Sequence, residues 1–277
     1  MRIAVGIEDS RLERYRDLAK ARGADRYEVI EGGLLIKRLR QFNVEFVSLL
    51  CSAQWAKQFE VLFPPEIPLY VLQKDGIDSV LGFKFHRGCL ALVRRPSYSK
   101  LGYGERNNDG LLSTIASERT KTVVVASQLS DPVNVGTLIR NAAAFGVGQC
   151  LIDETCADPF GRKATRAAMG YNYDGRTYRV GKLQDLLTKL RSECGFRIYA
   201  TTPGSKSVEL SQVQWSMRRV LLFGNEGSGL SQETLELADQ CISIPMAAAV
   251  DSLNVSSSAA IILYSCSLSG NNNSDEK

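Results

Sequence analysis

TVVVASQLSDPVNVGTLIRNAAAFGV, residues 122–147, decides how the chain folds. Its first eight residues are a β-branched and apolar run without polar alternation, as in a strand covered on both faces of a parallel sheet. NVGTLIRNAAAFGV then carries apolar residues at helical spacing, and it opens at an Asp-Pro turn. Outward from there, strands are expected at 149–152, 197–201, 219–223 and 241–244, with helices around 183–193, 231–238 and 254–267. Such alternation predicts an α/β domain. The last nine residues, SGNNNSDEK, are polar and have nothing to bury.

Upstream, RLERYRDLAKAR at 11–22 reads as a charged helix stopped by Gly23. Tyr27–Ile30 reads as a strand, Leu34–Phe42 as a helix with Lys37, Arg38 and Arg40 on its wet side, and Val44–Leu50 as a second strand. A strand at 69–73, a helix over Ile77–Leu81 and a strand at 89–93 complete a second α/β pattern, closed by Pro96. A chain of 277 residues exceeds the ~250 at which single cores stop growing, so two domains are expected. We place them at 1–96 and 120–268, joined by a linker at 97–119 with a short helix over Leu111–Ser117 and followed by a tail at 269–277.

Residues 1–100 hold 17 Lys and Arg against 12 Asp and Glu, so the net charge of +4 comes from the first domain and could draw it to nucleic acid. The seven cysteines are odd in number and lack any C-x-x-C spacing, which suits buried thiols in a reducing compartment. No metal is expected, because the single His86 and scattered cysteines make no ligand set. The start reaches charge too soon for a signal peptide, and no apolar run approaches the ~20 residues that span a bilayer. A cytoplasmic protein without a membrane partner is expected.

In LLFGNEGSGLS, 221–231, three glycines follow a strand and precede a helix. Such a turn lets backbone amides approach a ligand, or serves only as a tight turn needing positive φ. Ile244, Pro245 and Met246 end the next strand, and Ser252 to Ser256 open a long helix whose unpaired backbone groups could read a ligand; Ser252 and Asn254 could equally be plain caps. Arg140 lies six residues past Asn134, ~600° around a helix, so the two share a face only if Asn134 sits in the entrance turn. A surface salt bridge is the ordinary alternative for this arginine.

Three segments in order, DPVNVGTLIRNAAAFGV at 131–147, LLFGNEGSGLS at 221–231 and IPMAAAVDSLNVSSSAAIILY at 244–264, resemble the signature motifs of the SpoU branch of the SPOUT RNA methyltransferases. VIEGGLLIKRL at 29–39 and FHRGCLALV at 85–93 resemble that family's ribosomal-protein-like substrate-binding extension. The resemblance implies an α/β fold with a knotted (trefoil) C-terminal parallel-sheet domain and a smaller N-terminal α/β domain. It implies transfer of a methyl group from S-adenosylmethionine to a ribose 2′-hydroxyl, in ribosomal RNA rather than transfer RNA, by a homodimer. Cofactor contacts are implied at Thr201, Phe223, Gly224, Asn225, Gly229, Ile244, Met246, Ser252 and Leu253. Arg140 is implied as the catalytic centre, with Asn134, Glu226, Ser252 and Asn254 as positioning groups. A guanidinium does not release its proton in proteins, so Arg140 is read as a stabiliser of negative charge rather than a base. Transfer to a base nitrogen, or an idle RNA-binding protein of the same fold, are the alternatives; the intact N-x-G-x-x-x-R and SLNVS segments weigh against both. Ala248 and Ala168 depart from the family pattern.

Overall fold

The computed structural model describes residues 2–16, 26–96, 109–117, 120–203, 207–225, 227–247, 250 and 252–271. The chain forms two compact units, the first of residues 1–96 with 160–174 and the second of 97–159 with 175–277.

In the first unit β1 (Arg2–Ala4), β2 (Tyr27–Glu31), α1 (Gly33–Gln41), β3 (Phe46–Cys51), α2 (Ala53–Leu62), β4 (Leu69–Val71), α3 (Lys74–Leu81) and β5 (Cys89–Arg94) build a five-stranded sheet of order β1-β4-β3-β5-β2. β1, β4 and β3 are parallel, while β5 runs antiparallel to both β3 and β2. The helix expected over 11–22 is instead a 3-10 turn at Ser10–Tyr15, capped by Asp9; residues 17–22 lie outside the described residues. The two residues it buries, Leu12 and Tyr15, are three apart, the spacing at which side chains of a 3-10 helix eclipse. Tyr15 is fixed there by its hydroxyl, which pairs with Ser48 Oγ at 2.7 Å and accepts from Leu92 N at 3.2 Å.

Residues 160–174 interrupt the domain expected at 120–268, because their apolar and small residues are buried with the first unit. α6 (Arg162–Ala167) packs on β2 and Arg162 pairs with Glu31 at 2.8 Å. A Cβ on Gly170, where φ is +85°, would lie 2.6 Å from Leu39 Cδ1. Arg38 is therefore not on a wet face: it donates to Met169 O at 2.9 Å and lies over the Tyr171 ring.

The second unit contains α4 (Asp109–Ala116), β6 (Thr122–Ala126), α5 (Pro132–Ala144), β7 (Gln149–Asp153), β8 (Thr177–Val180), α7 (Leu183–Ser192), β9 (Arg197–Thr201), β10 (Val208–Glu209), β11 (Arg219–Phe223), α8 (Gln232–Glu236), β12 (Gln240–Ser243) and α9 (Val255–Asn271). Its seven strands are all parallel, in the order β10-β12-β9-β11-β6-β7-β8. Alternate strand residues, among them Val123, Val125, Ile198, Val220 and Leu222, share one core with Leu186, Leu187 and Leu190 of α7 and Ile115 of α4. Intervening residues such as Val124, Tyr199 and Leu221 are equally buried, which explains the unbroken apolar runs in the sequence. All seven cysteines are free thiols and all but Cys241 are buried. No helix among the described residues is long and apolar enough to cross a membrane.

Candidate active site

β9, β11 and β12 are neighbours in the sheet and end together, at Thr201, Phe223 and Ser243. A cavity of about 490 Å³ opens beyond these ends. Parallel sheets bind ligands at this edge, because the strand-to-helix connections leave backbone polar groups and a crevice there. Thr201, Phe223, Gly224, Asn225 and Gly229 line one part of the cavity, and Ile244, Met246, Ser252 and Leu253 another. All nine cofactor positions named from the sequence thus gather around one space. Apolar residues the sequence reading missed, Leu230, Leu235, Ile242 and Ile262, complete its walls. Their signal was hidden, because they read as ordinary core positions of α8, β12 and α9. No ionisable side chain is among the described residues that line it.

The 224–230 loop is held by one side chain. Asn225 Oδ1 accepts from Gly227 N at 2.8 Å and Ser228 N at 3.1 Å, while its Nδ2 donates to Gln128 O at 2.9 Å in the connection after β6. Backbone bonds between Asn225 and Gly229, 3.1 and 2.9 Å, close the loop. Gly224 has no room for a side chain, since a Cβ would stand 2.5 Å from Gly229 C and 2.6 Å from Leu230 N. Thr201 Oγ1 donates to Leu222 O at 2.8 Å, tying β9 to β11 at the cavity. Glu226 and Ala248 lie outside the described residues.

α5 begins as its sequence demands, with Asp131 capping Val133 N at 2.9 Å and Pro132 in the first turn, where a missing N–H costs nothing. Asn134 is inside this helix, so it stands ~120° around and ~9 Å along the axis from Arg140. The shared face considered from the sequence is not formed. Asn134 Oδ1 instead accepts from Asn254 Nδ2 at 3.1 Å and Ser256 Oγ at 3.5 Å. Asn254 also caps α9, its Oδ1 accepting from Ser256 N at 2.9 Å, so capping and positioning coincide in one residue. Asn141, unremarked in the sequence, donates to Ser256 O at 2.7 Å. Arg140 is exposed and its guanidinium has no partner among the described residues, so no salt bridge accounts for it.

These features define a class: an α/β domain with a small-molecule cavity at the carboxyl edge of a parallel sheet and a free arginine on an adjoining helix. Residues 121–264 match the SpoU rRNA Methylase family. The chain is 30% identical over 279 residues to an uncharacterised tRNA/rRNA methyltransferase of Mycobacterium bovis, covering 95% of this chain and 90% of the relative. It is 26% identical over 211 residues, 75% of this chain and 81% of the other, to the 23S rRNA (guanosine-2'-O-)-methyltransferase RlmB of Acinetobacter baylyi. The crystal structure of the SpoU methyltransferase AviRb of Streptomyces viridochromogenes in complex with AdoMet superposes with a TM-score of 0.77 at 20% identity, covering 96% and 100% of the two chains, which shows the same fold. The chain belongs to the SpoU rRNA methylase family and is an RNA methyltransferase.

Proposed function

We propose that this protein methylates a ribose 2′-hydroxyl of RNA, ribosomal RNA in preference to transfer RNA, with S-adenosylmethionine as methyl donor. The observation that carries the reading is the bond set from Asn134 to Asn254 and Ser256, which fastens the helix bearing Arg140 to the segment lining the cavity. The cavity suits the donor: about 490 Å³ falls within the ~300–1,000 Å³ of small-molecule sites, and the described residues of its lining offer backbone and small polar groups beside apolar walls. Residues at the ends of β9, β11 and β12, with Met246, Ser252 and Leu253, would hold it. When bound, the donor supplies an electrophilic methyl group on a sulfonium.

Arg140 does the charge work. A guanidinium stays cationic, so it binds a phosphate beside the target ribose and stabilises the oxygen as negative charge develops there. Asn134, Asn254 and Ser252 position, and the proton leaves to water or phosphate. Ile261, Tyr264 and Leu268 of α9 and Val133 of α5 remain exposed, which supports a homodimer through this face, with the family's knotted chain path. Sedimentation near twice 30.5 kDa is expected.

The test is Arg140→Ala with radiolabelled donor and total RNA. Transfer falls by about 10²–10³-fold, the scale for removing one transition-state stabiliser, while calorimetric donor affinity stays within about twofold. Label incorporated by the parent protein resists alkaline hydrolysis as a dinucleotide, because a 2′-O-methyl group blocks cleavage. Near-parental turnover in the variant, or alkali-labile label, refutes the reading.

A further inference from the structure

A second cavity, of about 560 Å³, lies in the first unit beyond the ends of the parallel neighbours β3 and β4. Its floor is apolar, with Leu72, Ile77 and Phe85 all buried. Its rim is basic: Lys74, His86 and Arg87 are exposed and line it, and their side-chain nitrogens make no hydrogen bond or ion pair among the described residues. Among the described residues no carboxylate lines it, and Asp75, in the first turn of α3, is outside the lining. α2 and α3 both start at its edge, and their caps Ser52 and Gln73 make no side-chain cap bond, so first-turn amides add positive character to the rim.

Trp55 sets the cavity's character. The half-buried indole sits in a slot made by two glycines: a Cβ on Gly33 would fall 2.0 Å from its ring, and one on Gly88, where φ is +69°, 3.1 Å from it. Its N–H has no hydrogen-bond partner among the described residues, and Lys37 Nζ lies 5.5 Å from the ring centroid. An indole with an open N–H, an apolar floor and a cationic rim together match a nucleobase joined to a phosphate. A bare phosphate would leave the apolar floor unfilled.

We propose that this cavity holds one unstacked nucleotide of the RNA strand, its base against Trp55 and its phosphate at Lys74 and Arg87. The RNA part rests on the methyl-transfer reading above; the nucleotide chemistry does not. The site would grip the substrate at a point separate from the ribose that is methylated.

The chain has two tryptophans, so Trp215→Phe leaves Trp55 as the sole reporter in the full-length protein. Hexauridylate, uridine 5′-monophosphate and uridine are the probes. Saturable quenching of Trp55 emission is expected, strongest with hexauridylate and weakest with uridine. Lys74→Gln and Arg87→Gln, both at exposed positions, each weaken hexauridylate about tenfold and lower the salt slope by about 0.7, the value for one phosphate contact on a single strand. In methyl transfer their effect falls on the KM for RNA. Hexauridylate binding by anisotropy with unchanged Trp55 emission overturns the proposal, as does parental affinity in both variants. Quenching by the monophosphate alone overturns the RNA part. Trp55 quenching by hexauridylate in a protein that methylates no ribose would sink the function proposed above and leave this site standing.

Discussion

Gly224→Ala tests the loop at the cavity most sharply. The new methyl carbon would meet three backbone atoms, Gly229 C at 2.5 Å, Leu230 N at 2.6 Å and Gly229 O at 2.7 Å. No rotamer can relieve a clash with main chain, so the loop itself must open by close to an ångström. Overpacking of this kind costs ~1–3 kcal/mol, and losing the two Asn225–Gly229 backbone bonds adds about 1 kcal/mol each if the loop opens fully. A loss of about 3–5 kcal/mol is expected, a fall of roughly 6–20 °C in the melting temperature of a unit of this size. Since residues 224, 225 and 227–230 line the cavity, donor affinity drops as well, by about 30-fold for 2 kcal/mol. Circular dichroism melts and calorimetric titration with S-adenosylmethionine measure both. Gly110→Ala is the control, because nothing lies within 4 Å of its Cβ. If Gly224→Ala binds the donor within threefold and melts within a degree of the parent, the closed loop is wrong.

A double-mutant cycle between Asn134→Ala and Asn254→Ala should give a coupling of about 1 kcal/mol in urea unfolding, with Asn254→Ala alone the costlier at about 1.5–3 because it also loses a cap; additive effects would deny the link between α5 and α9. Tyr15→Phe should cost about 2 kcal/mol by leaving the Leu92 amide and Ser48 hydroxyl buried without a partner, and an unchanged urea midpoint would contradict that. Burial pushes the Cys156 thiol up to about 11, and those of Cys51 and Cys89 up to about 12, from an ordinary value near 9. Their folded values are raised, so the stability they contribute is complete below about pH 9 and is lost as pH rises through about 11–12, at up to about 1.4 kcal/mol per thiol per pH unit. Comparing urea midpoints at pH 8 and 10.5, Cys156→Ser should show a smaller loss than the parent; equal losses would exclude the thiol as a source.

What could be read from the sequence was what local chemistry decides. α5 was legible because Asp131 and Pro132 fix its start, and β6, β7, β9 and β11 because each has a short run of residues covered on both faces. α2 and β8 were missed; β8 is four residues long and α2 follows β3 after a single residue, Ser52, leaving no punctuation to mark a boundary. The excursion of 160–174 into the first unit was invisible, because burial of Gly170 against Leu35 and Leu39 is a long-range fact that no periodicity records. It follows that a fragment starting after Pro96 would strip Phe160, Ala168 and Asn172 of the unit that buries them.

The site shows the same division between local and distant causes. Apart from Thr201, each cofactor position expected from the sequence lies in a motif a few residues long, yet the cavity exists only because β9, β11 and β12, far apart in sequence, are neighbours in the sheet. Helical spacing puts Asn134 and Arg140 ~600° apart, and with Asn134 inside α5 the two do point apart, so α5 serves two directions. Through Asn134 and Asn141 it is bolted to the start of α9, and ~120° from Asn134 it leaves Arg140 exposed and without a partner among the described residues. In the function proposed above Arg140 acts on an RNA phosphate, a role that needs the cation free of protein partners and the helix beneath it fixed. Fixing α5 through neutral amide and hydroxyl bonds meets both needs, since an acidic fastener there would also have offered Arg140 a competing carboxylate. Asn134→Asp therefore separates geometry from charge: it keeps the acceptor for Asn254 and Ser256 while adding a negative group near the site. Stability should hold within about 1 kcal/mol while methyl transfer falls at low ionic strength and partly recovers with salt.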